Sequence, residues 1–116
     1  MPHAYTVSRS ARGGTSIETD IPLGEAFPHR HLKITTHKWT HGITCSALVV
    51  KRDPDNPGCY SYALYKDFSR RLGHDAKARA TEKALRTMHE KALEGIEAVL
   101  ADARAQYATP PAAEAA

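Results

Sequence analysis

Apolar and polar residues alternate through the middle of the chain, and two turn signals divide that stretch into three strand-like runs: His41-Gly42 and Asp53-Pro-Asp-Asn-Pro-Gly58. A two-residue loop at the first signal pairs Thr40 with Ile43, and a six-residue loop at the second pairs Arg52 with Cys59. The first register sets Ile34 opposite Val49 and Thr36 opposite Ala47. The second sets Val49 opposite Tyr62 and Ala47 opposite Leu64. One face then collects Leu32, Ile34, Thr36, Cys45, Ala47, Val49, Tyr60, Tyr62 and Leu64. A slip of one residue would scatter that set, so the two turns support each other. Cys45 faces Lys66 in this register, away from Cys59.

Downstream, Ser69 to His74 reads as a loop and Asp75 as a helix N-cap. The Ala-, Lys- and Glu-rich stretch that follows runs to Tyr107. At 100° per residue, Leu85, Met88, Ala92, Ile96, Val99, Ala103 and Tyr107 form one apolar stripe. A continuous helix of that length would span roughly 48 Å, against about 33 Å for a ten-residue strand. It must therefore break, with Gly95 the natural point, or place its surplus on a second chain along the Leu93 to Leu100 edge. Upstream, Ile17, Thr19, Ile21 and Leu23 alternate with polar residues until Pro22 and Pro28 interrupt, the pattern of an edge strand. The expected fold is α+β: a three-stranded antiparallel meander, extended by an N-terminal strand, packed on one long C-terminal amphipathic helix. Residues 17–107 form the domain, with flexible tails at 1–16 and 108–116.

The 116 residues allow one core, and 41% hydrophobic with 25% charged residues is the composition of a folded domain. The longest apolar run is Ala47 to Val50, far short of a membrane span, and the N-terminus lacks a charged-then-apolar leader, so a cytoplasmic location is expected. Two cysteines are too few for a disulfide framework, and both read as reduced and structural. The net charge of +3 conceals an asymmetry. Between residues 28 and 91 there are 13 basic and six acidic residues, which leaves that stretch at +7 and the remainder at −4.

Within the helical stretch the cations Lys77, Arg79 and Lys83 lie toward the N-terminal end and Glu94, Glu97 and Asp102 toward the C-terminal end, the reverse of what the macrodipole favours. Arg79, Lys83 and Arg86 project to one side, and Arg70 and Arg71 lie in the segment leading in. Cations gathered at a helix start suit phosphate. The second sheet face carries Lys33, His37, Trp39 and Tyr65, with His37, Ser46 and Tyr65 in one row. Left uncovered, it offers rings for stacking beside cations, the arrangement that binds single-stranded nucleic acid. Covered by the N-terminal segment (Ile17, Ile21, Leu23, Phe27) or by a partner subunit, the same residues are a second apolar layer. No metal is expected: His37 and His41 are about 13 Å apart on a strand, and nothing completes a site around His29 and His31. His89 projects at the edge of the apolar stripe, the place of a hydrogen-bonded core histidine. No nucleophile motif or phosphate-binding glycine loop occurs, and no cofactor or catalytic residue is expected.

Three antiparallel strands followed by an Ala-rich basic helix opening Lys77-Ala-Arg-Ala-Thr-Glu-Lys-Ala-Leu85 resemble the C-terminal half of a double-stranded-RNA-binding domain. That resemblance implies phosphate contacts from the helix start, here Lys77 and Arg79. The chain departs from the family in having no first helix and a longer final one. The segments Ile34-Thr-Thr36, Lys66-Asp-Phe68 and Arg79-Ala-Thr-Glu-Lys-Ala84 are similar to small uncharacterised proteins of proteobacterial prophage and plasmid regions, which implies an accessory role. The expected function is a non-enzymatic nucleic-acid-binding accessory protein using Lys33, His37, Trp39, Tyr65, Arg70, Arg71, Lys77, Arg79, Lys83 and Arg86. The alternative is a homodimeric module that binds a protein partner through the sheet face and the helix overhang.

Overall fold

The computed structural model describes residues 4–9, 14–39, 42–53, 55–56, 60–61, 68–79 and 81–108. It is an α+β fold in which one antiparallel sheet carries two helices on a single face. The strands are β1 (Thr6–Arg9), β2 (Thr15–Pro22), β3 (Arg30–Trp39), β4 (Gly42–Arg52), β5 (Tyr60–Ser61) and β6 (Ser69–Asp75), followed by α1 (Glu82–Glu94) and α2 (Ile96–Ala108). Strands β1 to β4 lie side by side in chain order. The far edge of β4 is shared: β5 pairs with Lys51 and Arg52, and β6 with Ile43 to Leu48.

The alternating apolar positions do what the pattern requires. Ile17, Ile21, Leu32, Ile34, Ile43, Cys45, Ala47 and Val49 point to the helix side and are buried there against Leu85, Leu93, Ile96, Val99, Leu100 and Ala103. The β3–β4 register differs from expectation by two residues: Ile34 pairs with Ala47 and Thr36 with Cys45, and the last pair before the turn is Trp39 with Gly42. A shift of two leaves every side chain on its expected face, which is why the core set survives it. The cause lies at Gly42, which moves out of the loop into the first strand pair. Its φ is +95°, and a Cβ there would collide with the Asp75 carbonyl oxygen. Only glycine lets the end of β6 pass this close.

Other expectations are corrected. β2 is an interior strand, because Thr6–Arg9 pairs with its outer edge inside the stretch read as an N-terminal tail. Four residues are too short a run for alternation to reveal. Ile17, Ile21 and Leu23 therefore belong to the helix-side core and do not cover the second face. The second turn is displaced by one residue, with Ser61 opposite Lys51 and Tyr60 opposite Arg52. Tyr62, Leu64, Tyr65 and Lys66 lie outside the described residues. The segment read as a loop, Ser69 to His74, belongs with Asp75 to strand β6, which sets Gly73 opposite Cys45. A bulge at Leu72 accommodates the change of register there.

The helix starts later than Asp75. Thr81 is the N-cap, its hydroxyl accepting from the Ala84 N–H at 3.1 Å. The backbone breaks at Gly95, whose N–H bonds Ala92. Each of the two helices is 13 residues long, about 20 Å, and fits the sheet. Leu93 and Leu100 pack in the chain's own core, so the surplus helix length that argued for a second chain is used internally. Among the described residues no helix is long and apolar enough to cross a membrane.

Candidate functional site

Three regions hold polar or charged groups arranged for chemistry or binding: the second sheet face, the interior around His89, and the end of the molecule where β3 and β4 turn beside the lead into α1.

The second face is built from cross-strand rows. Ser16, His37, Thr44 and His74 form one, Glu18, Thr35, Ser46 and Arg71 the next, and Asp20, Lys33, Leu48 and Ser69 a third. His37 is thus opposite Thr44, and its expected pairing with Ser46 does not form, a consequence of the two-residue shift. The face is polar and partly exposed. Val50 and Thr44 are buried, and the Lys33 side chain is only 13% exposed with its ammonium 3.7 Å from Glu18. His37 is half-buried, and that burial holds its pKa below the ordinary imidazole value. Thr44 bonds His74 Nδ1 at 2.8 Å, and His31 Nδ1 lies 2.6 Å from Asp20. Trp39 closes β3 opposite Gly42, and Tyr65 is outside the described residues. The stacking expected of the Trp39 and Tyr65 rings falls on side chains outside the described residues.

Among the described residues the interior holds one full polar triad. His89 of α1 is completely buried, with Nε2 2.7 Å from the Thr19 hydroxyl on β2 and Nδ1 2.8 Å from the Thr36 hydroxyl on β3. A neutral imidazole donates from one nitrogen and accepts at the other, and each hydroxyl can take either role. The Tyr5 ring meets His89 edge-on at 5.4 Å between centroids. Burial pushes the His89 pKa down to about 4, with Glu90 opposing slightly. This is the hydrogen-bonded core histidine that the stripe anticipated, and it is sealed from any substrate.

The cations expected to meet phosphate divide into two groups. Arg70 lies on the helix side, donating to Asp102 at 2.7 Å with its guanidinium 5.0 Å above the Phe68 ring. Arg86 donates to Glu82 at 3.0 Å and to the Tyr5 hydroxyl at 3.1 Å. Arg9 donates to the same Glu82, and the two guanidinium groups hold its carboxyl below the ordinary range. These arginines fasten β1 and β6 to the helices. By contrast Arg71, Lys77, Arg79 and Lys83 are exposed, and no described group pairs with their charges.

Lys77, Arg79 and Lys83 have company that the sequence does not reveal. The approach of Gly42 to Asp75 and Ala76 sets the turn end of β3 and β4 against the segment leading into α1. Exposed Lys38, one residue before the end of β3, therefore belongs to the same end of the molecule. Asp75 is engaged in part by the Lys77 backbone N–H at 3.0 Å, and Glu82 is neutralised by its two arginines.

Beside this end runs a groove of about 810 Å³ between α1 and β6. Ile43, Leu72, Gly73, Met88, Ala92 and Val99 supply its apolar surface, and Lys83 and Lys91 stand on its α1 wall. Met88 packs directly on Gly73 in its floor, where a Cβ would press to 3.3 Å from Met88 Cγ. The sequence reading missed this groove because it depends on β6. Among the described residues no three His, Cys, Asp or Glu side chains are grouped to hold a metal ion. Comparison with protein-family models, curated proteins and solved structures finds no match, which leaves the geometry of these regions to carry the functional reading.

Proposed function

We propose that the chain is a nucleic-acid-binding accessory protein that contacts the phosphate backbone with Lys38, Lys77, Arg79 and Lys83. The observation that carries the reading is the packing of Gly42 on Asp75 and Ala76, which gathers cations from two distant parts of the sequence at one end. Cations spent in intramolecular pairs cannot neutralise phosphate without breaking those pairs. Arg70, Arg86 and Lys33 are so engaged and leave the proposed interface. Arg71 stands apart on the second face, opposite Ser46.

Contacts of this kind fix orientation without reading sequence, so binding is expected to tolerate changes of base. An accessory role agrees with the resemblance to proteins of mobile elements. Fluorescence anisotropy with mixed-sequence DNA and RNA, at about 50 and about 200 mM salt, tests the reading. Four phosphate contacts predict a loss of roughly 50-fold for single strands and roughly 150-fold for duplex over that range. Absence of binding at the lower salt, or affinity indifferent to salt, would remove it.

A further inference from the structure

The groove between α1 and β6 has features that phosphate binding does not use. Its surface is mainly apolar, and four consecutive β6 residues, Leu72 to Asp75, border it, so strand backbone as well as side chains lines one wall. Among the described residues no strand pairs with the outer edge of β6. Such an edge is a template for another strand unless charge or irregularity guards it. Here Arg71 and the bulge at Leu72 do the guarding, and the Arg71 charge disfavours a basic strand while leaving an acidic one acceptable.

We infer that the groove binds an extended acidic-apolar segment of a partner protein, which adds to β6 as a further strand. Lys83 and Lys91 are eight residues apart on α1, about 12 Å along its axis. Two carboxylates four residues apart on an extended strand are separated by about 13 Å. The strand's same-face residue midway between them then meets the apolar floor at Leu72 and Met88. Main-chain bonds to β6 supply affinity, and the alternate side chains supply selection. Charge complementarity chooses this occupant: both lysines on the wall are exposed, and no described group pairs with them.

The test is selection of a displayed random eight-residue peptide library on the intact chain, followed by anisotropy with the recovered peptides. The expected winners carry two acidic residues four apart with an apolar residue between. Their affinity is expected to fall about tenfold or more in the K83E/K91E variant and to be lost in T87W, which fills the groove from an exposed position. The K38A/K77A/R79A variant, none of whose changed residues lines the groove, keeps peptide binding while losing oligonucleotide binding. K91E alone does the converse, so failure of this inference and failure of the nucleic-acid reading give different patterns. Circular dichroism confirms that each variant is folded. Winners without the acidic pattern, or winners that bind K83E/K91E and T87W as tightly as the unaltered chain, overturn the inference, as does a selection that enriches nothing.

Discussion

Replacing His89 by glutamine separates the two things this residue does. In the folded chain its ring is dry and bonded to Thr19 and Thr36, and its pKa is pushed from 6.5 to about 4. A displacement of that size corresponds to about 3 kcal/mol of differential interaction between the neutral and charged forms. The unfolded chain takes up this proton at pH values where the folded chain does not. The stabilising contribution is therefore complete above about pH 6.5 and is lost as pH falls through about 4. Glutamine can still bond a threonine hydroxyl but does not titrate, and its imperfect replacement of the ring costs about 1–2 kcal/mol at pH 7. The stability difference between the two proteins is expected to reverse on acidification, changing by about 3 kcal/mol. Urea denaturation followed by far-ultraviolet circular dichroism at pH 7, 5.5 and 4 measures this. Taking the difference cancels carboxylates and the other histidines, including half-buried His37. A gap between wild type and H89Q that stays constant across this range would refute the reasoning, and so would an imidazole titration near 6.5 for His89 by NMR.

Gly42→Ala forces a side chain into positive φ and onto the Asp75 carbonyl, with an expected loss of about 2–4 kcal/mol in urea denaturation. Gly95→Ala meets open space at an ordinary φ of −104°, and should raise stability by about 0.4–1 kcal/mol without moving the helix break. A destabilised G95A would mean that the junction needs glycine for a reason not contained in its geometry. Cys45 is buried, and burial raises its thiol pKa against a smaller opposing effect from Thr36. In a C59S background, iodoacetamide is expected to leave the native chain unmodified and to label Cys45 once urea unfolds it.

The core was legible because strand alternation and the helical stripe are long, and because the error in the β3–β4 turn was an even number of residues. Ile34, Ala47 and Val49 kept their face although each changed its partner. Strand β6 was not legible. Ser69-Arg-Arg-Leu-Gly-His-Asp75 lacks β-branched and aromatic residues, so its conformation comes from pairing with β4 and not from its own preference. The helix start was misplaced for a related reason: Lys77-Ala-Arg-Ala80 has good helix propensity, but the cap hydroxyl is supplied by Thr81.

For the candidate site, sequence found the cations but could not separate those in use from those at liberty. Arg70 and Arg86 look like phosphate ligands until Asp102, Glu82 and Tyr5 are seen beside them. Lys38 was passed over, because its neighbourhood with Lys77 arises from the close contact at Gly42 and from nothing local. The isolation of His89 was readable from its place at the edge of the stripe, whereas its two threonine partners, 70 and 53 residues away, were not.

The central claim concerns a place, and a titration that reports residue by residue tests it most directly. Adding a mixed-sequence oligonucleotide to the ¹⁵N-labelled chain at low salt should move the backbone amides of Lys38, Lys77, Arg79 and Lys83 together, leaving those of Lys33 and Arg70 unmoved. Shifts confined to the second sheet face around Lys33 and Thr35, or none at saturating oligonucleotide, would contradict the account.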